Sequence, residues 1–178
     1  MTQFFHRFEM FIKYTNYSDG VHELILSEPT QKLGLDDSFF GNADVKIKMD
    51  KSIHQIILDC DLTIHAHIEC DRCTEKVDRE FTNHFVLSYL FAKSNQKTDD
   101  YNLKFLTTEN DKIDISEDVF EYSELSIPLK KLCKDDCRGL CPKCGKNLNY
   151  ETCTCDKEET NDIWAPLQIL KEKFNNKK

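Results

Sequence analysis

His54-Gln55-Ile56-Ile57-Leu58-Asp59-Cys60-Asp61-Leu62-Thr63-Ile64-His65-Ala66-His67-Ile68 alternates polar and apolar side chains almost without a break. Period-two patterning rich in β-branched residues marks a strand that buries one face and wets the other. The pattern slips at Ile56–Leu58, which predicts a bulge. A second run, Lys76-Val77-Asp78-Arg79-Glu80-Phe81 leading into His84–Leu90, follows the same rule, and Cys70-Asp71-Arg72-Cys73 lies between the two. The expectation is a long antiparallel hairpin whose tip carries two sulfurs at one end of a sheet.

Outward from this hairpin, Asp44–Met49 alternates as a further strand. Phe8–Tyr14 and Val21–Leu26 read as two extended segments around Asn16–Gly20, with Asp19-Gly20 as a hairpin signal. Pro29 and Gly34 punctuate a loop or short helix around residues 29–38. Residues 93–102 read as a polar loop, and Leu103–Leu106 as a short strand. Ser116-Glu117-Asp118 reads as a helix start with acids in its first turn. That helix runs from Val119 to about Ser126 with Val119, Tyr122 and Leu125 inward, and Pro128 ends it. After an acidic loop at Asp156–Asp162, Ile163–Leu170 opens a terminal helix. There Leu167, Leu170 and Phe174 share a face, and Trp164 anchors a core.

A chain of 178 residues, 39% hydrophobic and 31% charged, holds one ordinary core with a small appendage. The fold class is α+β. An antiparallel β-rich body, a sheet or partly closed barrel with one or two short helices, occupies residues 1–129. Residues 130–178 form a four-cysteine zinc-knuckle segment and a C-terminal helix packed on that body.

Eight of the nine cysteines form four close pairs: Cys70/Cys73, Cys133/Cys137, Cys141/Cys144 and Cys153/Cys155, with Cys60 alone. Closely spaced thiolates converge on one tetrahedral ion, so the pairs predict zinc, two ions or one, with iron as the alternative metal. In Gly139-Leu140-Cys141-Pro142-Lys143-Cys144-Gly145, Pro142 presets a backbone angle and Gly145 permits the left-handed turn of a metal knuckle. The favoured division puts Cys141, Cys144, Cys153 and Cys155 on one ion, because their loop is shortest. Cys70, Cys73, Cys133 and Cys137 take the other, with Cys133 and Cys137 converging across a helical turn. Such a site staples the C-terminal quarter to the hairpin tip. The Cys153-Thr154-Cys155 spacing demands a bent backbone.

Both sites are closed, which is the structural rather than the catalytic arrangement. His54, His65, His67 and His84 read as a polar sheet face, and no nucleotide loop, nucleophile elbow or His-Glu-x-x-His stands in the chain. The expectation is a protein that is not an enzyme and takes no small-molecule substrate. A dithiol redox role for Cys70/Cys73 is the enzyme-like alternative. It suffers because the pair lies between strands and not at a helix N-terminus.

The net charge of −8 is uneven. Residues 1–129 carry 13 Lys+Arg against 24 Asp+Glu, and residues 130–178 carry 11 against 8. Each four-thiolate zinc centre adds a further −2. An acidic body does not bind nucleic acid unspecifically. An RNA contact therefore falls to Lys130, Lys131, Lys134, Arg138, Lys143 and Lys146, unless these merely solvate the cysteine-rich surface. The first residues lack the basic start and apolar core of a signal peptide, and no stretch has the length of a membrane span. With an odd cysteine count, this points to a reducing cytoplasm and no membrane.

Two stretches resemble the YceD family of large ribosomal RNA subunit accumulation proteins. They are Glu69-Cys70-Asp71-Arg72-Cys73 with Phe81, and the run from Leu132-Cys133 through Cys137-Arg138-Gly139-Leu140-Cys141-Pro142-Lys143-Cys144-Gly145-Lys146-Asn147-Leu148-Asn149 to Cys153-Thr154-Cys155. Trp164, Leu167 and Leu170 fit the same pattern, and the likeness covers roughly residues 60–174. Thr74-Glu75 departs from it, where many relatives carry a small or apolar residue. The resemblance implies a cytoplasmic, non-enzymatic factor for accumulation or maturation of large-subunit (23S) ribosomal RNA. Its partners would be precursor RNA, ribosomal proteins, or both. A protein-only adaptor that holds a basic ribosomal protein is the alternative.

Overall fold

The computed structural model describes residues 10–92, 102–107 and 109–155. The expectations for Phe8–Glu9, for the loop at 93–101 and for everything from Asp156 onward, Trp164 and the terminal helix included, lie outside the described residues. The chain divides into two compact units, Met1–Cys137 and Arg138–Lys178. Residues 130–137, assigned from composition to the C-terminal segment, go with the first unit.

The first unit is built on one five-stranded sheet: β2 (Gly20–Pro29), β3 (Phe39–Lys51), β4 (Gln55–Glu69), β5 (Lys76–Phe91) and β6 (Leu103–Leu106), hydrogen-bonded in that order. The first four are antiparallel neighbours, and β6 lies parallel to β5. The sheet is open, not a barrel.

β4 pairs with β5 residue for residue, from Gln55 opposite Leu90 to Glu69 opposite Lys76. Its buried positions are Ile56, Leu58, Cys60, Leu62, Ile64, Ala66 and Ile68. The bulge expected at Ile56–Leu58 is therefore absent: Ile56 and Leu58 point inward and Ile57 outward, so the alternation never slips. The irregular register lies instead on β3 between Phe40 and Asp44, where Gly41 has φ +74°.

β1 (Phe11–Ile12) and β7 (Ile113–Asp114) form a separate antiparallel pair. The hairpin expected at Asp19-Gly20 does not form. The chain makes a 3-10 turn at Tyr14–Asn16, and Gly20 opens β2, which spends its ten residues on β3 from Gly20/Lys51 to Pro29/Asn42. A ten-residue ladder that sets Leu24 and Leu26 opposite Ile47 and Val45 outweighs a local turn preference.

α1 runs Ser116–Ser126 and packs on β4 and β5. The Ser116 hydroxyl does not cap it. That hydroxyl donates to Asp114 Oδ1 (2.6 Å) and accepts the Met10 N–H (2.6 Å), while Asp114 Oδ1 also accepts the Ser116 N–H (2.9 Å). Ile127 is extended before Pro128, which stops the helix as expected. Val119 and Ser123 are buried, and Tyr122 stacks on Phe85 at 4.1 Å. Leu125, expected inward, is 71% exposed. The inward surface is set instead by Ile115, Val119 and Ser123, spaced four apart.

Ile115 and Val119, together with Met10, Ile12, Tyr14, Leu35 and Ile113, join the buried side of the sheet in one core. The other side is polar. There His65 lies beside Glu80 (3.4 Å), His67 meets Asp78, and His84 lies beside Asp61 (3.1 Å) and Asp59 (3.5 Å). Phe40 stacks on His67 at 4.3 Å. His54 falls in the turn before β4, not on a strand.

Candidate metal centres

The alternation that buries β4 continues one step past its end and delivers Cys70 to the buried side of the hairpin tip. The turn that follows is a knuckle: Thr74 N–H donates to Cys70 C=O (2.8 Å) and Cys70 N–H to Glu75 C=O (2.9 Å). The second unit repeats this geometry. Gly145 N–H donates to Cys141 C=O (2.9 Å) and Cys141 N–H to Lys146 C=O (2.8 Å). The left-handed residue is Gly145 (φ +73°) in one knuckle and Thr74 (φ +57°) in the other.

The eight cysteines come together as two quartets, Cys70/Cys73/Cys133/Cys137 and Cys141/Cys144/Cys153/Cys155. Within each, the sulfurs lie within 4.8 Å of one another. Nearest contacts are Cys70–Cys137 at 3.7 Å, Cys73–Cys133 at 3.5 Å, Cys144–Cys153 at 3.5 Å and Cys141–Cys153 at 3.3 Å. An ion with four sulfurs at about 2.3 Å sets them about 3.8 Å apart in a tetrahedron, so the donor sets fit such an ion closely. All nine cysteines are free thiols. Cys60 stands apart in the core, its thiol pushed up to about 12 by burial and then by Asp59.

The first quartet is held by more than its sulfurs. Asp71 N–H donates to Lys131 C=O (2.8 Å), and Asp71 Oδ2 accepts the Lys131 N–H (2.6 Å). Arg72 Nη1 donates to Cys137 C=O (2.7 Å), and Arg79 Nη1 to Cys133 C=O (3.0 Å). These groups dock residues 131–137 on the tip and hold the carbonyls of Cys133 and Cys137 in place. Composition and spacing did not single out either arginine. The one available signal was the position of Arg72 inside the Cys-x-x-Cys turn. Cys133 and Cys137 do not converge on a helical turn. A reverse turn joins them, closed by Cys137 N–H to Lys134 C=O (3.1 Å).

The second quartet sits in a short hairpin. Leu140 bridges Asn147, and Leu148 N–H donates to Gly139 C=O (2.9 Å). Asn147 Oδ1 accepts the Asn149 N–H (3.0 Å), and Asn149 Oδ1 accepts the Arg138 N–H (2.9 Å). The two asparagines thus close the loop that carries Cys141 and Cys144. Cys155 N–H reaches Cys153 Sγ (3.3 Å), which is the bend that the one-residue spacing requires. N–H groups of Cys144 and Lys143 hold the Cys141 thiol down to about 6, while hydrogen bonding from Cys153 and then Cys144 pushes Cys155 up to about 12. Four adjoining thiols ionise together only beside a cation.

The six cations divide between the units: Lys130, Lys131 and Lys134 fall in the first, Arg138, Lys143 and Lys146 in the second. Lys134 lies 3.8 Å from Asp136 and Lys146 lies 3.4 Å from Glu151. The others have no acid within ion-pair reach among the described residues. No helix among the described residues is long and apolar enough to cross a membrane.

Fold and quartets together define a one-sided, mostly antiparallel sheet protein with two all-cysteine clusters able to hold metal ions. The chain belongs to the YceD family: the model of the large ribosomal RNA subunit accumulation protein YceD matches residues 58–171, which include every paired cysteine. It is 38% identical over 65 residues to the chloroplastic large ribosomal RNA subunit accumulation protein YCED homolog 1 of Arabidopsis thaliana. That match covers 36% of this chain and 20% of the plant protein. The Zea mays homologue is 40% identical over 57 residues, 32% of this chain and 19% of that protein. An uncharacterized protein of Mycobacterium tuberculosis is 33% identical over 107 residues, 56% of this chain and 47% of that protein. The chain thus spans less than half the length of each of these relatives. No solved structure matches it. The family's name supports a ribosome-related role.

Proposed function

We propose that this protein is a non-enzymatic, cytoplasmic assembly factor that supports accumulation of large-subunit (23S) ribosomal RNA and holds two structural zinc ions. The observation that carries the metal reading is the closure of both quartets: four sulfurs at tetrahedral spacing leave no position for water or substrate. Zinc suits all-thiolate donors and needs no redox partner. The ribosomal reading rests on family membership and on the lysines and arginines around the sulfurs.

The contact to precursor RNA is assigned to Lys130, Lys131, Lys134, Arg138, Lys143 and Lys146. In an acidic protein, binding through so few cations is weak alone and steeply salt-dependent, because each phosphate neutralised releases a counterion. The test is charge reversal at Lys131, Arg138 and Lys143, with zinc counted by native mass spectrometry. Association with large-subunit precursor particles is expected to vanish while the zinc stays. A triple variant that co-sediments at the wild-type level overturns the assignment.

A second reading has its own observation. The polar sheet side carries Glu23, Asp59, Asp61, Asp78 and Glu80, a surface suited to a basic ribosomal protein. Binding to naked ribosomal RNA and to basic ribosomal proteins, each at low and high salt, separates the two.

A further inference from the structure

The two quartets share chemistry but not surroundings. In the first, Cys70, Cys73 and Cys137 are 1%, 3% and 3% exposed and form their own buried cluster with Leu132 and Cys133. Their backbone continues β4 and leads into β5, and Asp71, Arg72 and Arg79 pin the opposite segment. In the second, Cys144 is exposed, and only Gly139 and Cys141 are buried among residues 138–155. Tyr150 stands 73% exposed, and no apolar cluster forms among the described residues of that unit. The described residues of this unit thus form no apolar core, and a bound ion would supply their order.

We infer that Cys141/Cys144/Cys153/Cys155 is an exchangeable zinc site, whose loading decides whether Arg138–Cys155 is folded, while Cys70/Cys73/Cys133/Cys137 is a permanent one. The inference rests on the metal reading proposed above. A bound ion leaves a four-thiolate site when an incoming ligand reaches it and displaces the sulfurs one at a time. An exposed sulfur gives that ligand a point of entry. Around the first quartet burial covers three of the four sulfurs, Cys133 being half-buried, and the backbones of Cys70, Cys133 and Cys137 are held by hydrogen bonds when a sulfur is displaced. Partners of this kind alter metal affinity by 10–100-fold. In the second quartet such bonds hold the backbone of Cys141 alone on both sides, and no arginine donates to a ligand's carbonyl among the described residues, so loss of one sulfur there loosens the loop that presents the next.

The consequence is a protein with two metal states. When free zinc is scarce, or a competing thiolate ligand is abundant, the second unit unfolds locally and the sheet keeps its ion. Arg138, Lys143 and Lys146 then sit on a disordered segment, so presentation of half of the cationic set follows zinc supply.

The experiment uses the full chain loaded with zinc. A strong chelator is added, ions per chain are followed by native mass spectrometry, and thiols freed at each time are labelled with N-ethylmaleimide and mapped. The expected result is a two-step loss. One ion leaves first, roughly tenfold or more faster than the other, with label appearing on Cys141, Cys144, Cys153 and Cys155. Hydrogen exchange rises only at residues 138–155. Cys144→Ser is expected to lack the fast step and keep the slow one. Loss of both ions in one phase, or first labelling at Cys70 and Cys137, overturns the inference and leaves the zinc reading intact. A folded chain that binds no zinc overturns both.

Discussion

Thr74 takes φ +57° at the point where the other knuckle places Gly145 at +73°. A side chain in the left-handed region costs about 1–2 kcal/mol through contact of its Cβ with the backbone. The hairpin-tip knuckle accepts that cost because the same backbone closes the Thr74-to-Cys70 and Cys70-to-Glu75 hydrogen bonds. Thr74→Gly is expected to raise unfolding stability of the zinc-loaded protein by about 0.5–1 kcal/mol, strain relief less the added unfolded-state entropy. Gly145→Ala is expected to speed zinc loss from the second quartet. No atom lies within 4 Å of a Cβ built there, so backbone conformation alone sets that penalty. Denaturant titration and chelator release read the two effects. An unchanged or lowered stability in Thr74→Gly contradicts the strain argument. The cysteine spacing was legible in the sequence because pairing is a one-dimensional property. The knuckle at Thr74 was not, because threonine carries no sign of a left-handed backbone.

Among the elements, β4 was the most legible, since burial of every second residue from Ile56 to Ile68 writes itself directly into the sequence. The slip inferred at Ile56–Leu58 came from three apolar residues in a row. The sheet resolves it by leaving Ile57 on the polar side. The first hairpin was misread for the opposite reason: Asp19-Gly20 is a local signal, and the ladder that overrides it joins Gly20 to Lys51. α1 and β6 add a link that neither stretch announces alone. Lys104 Nζ donates to both oxygens of Asp118, at 2.7 and 2.6 Å, and Asp118 is buried. Burial raises the Asp118 pKa, and Lys104 opposes that rise. A carboxyl raised in the folded state adds stability at low pH that is lost as pH rises from the ordinary carboxyl range through the folded value. Removing Lys104 removes the opposing pull and extends that loss upward. Lys104→Met is therefore expected to cost about 2–3 kcal/mol near neutral pH, below the range for fully buried pairs because the lysine is partly solvated. Asp118→Asn removes the buried charge and is expected to cost about 1 kcal/mol. Urea denaturation at about pH 4.5 and about pH 7.5 checks both. A Lys104→Met penalty that does not shrink in acid removes Asp118 ionisation as its cause.

At the scale of the whole molecule, the two quartets differ in what an ion bound there would support, and cysteine substitutions separate them. The core of the first unit, from Val45 through Ile64 to Leu87, is buried without help from the sulfurs. An ion in the first quartet would add closure, tying Cys133 and Cys137 back to Cys70 and Cys73 across a long stretch of chain and so restricting the unfolded ensemble. Composition drew the domain boundary at 129/130 because charge changes sign there. The compact units part after Cys137, and Asp71, Arg72 and Arg79 hold residues 131–137 on the hairpin tip whatever their charge. Cys137→Ser is expected to release one zinc and to lower stability by on the order of 4 kcal/mol, the scale of a cross-link that closes a loop of this length. The loss of protection in hydrogen exchange should concentrate at residues 66–79, around the hairpin tip. Cys141→Ser and Cys144→Ser should each release one zinc as well, yet leave exchange across residues 44–90 unchanged. In these two variants only residues 138–155 depend on the lost ion for their folding energy. Equal, global loss of protection across residues 44–90 in Cys144→Ser would show that the second ion also supports the sheet, and the two-centre division of labour would fall.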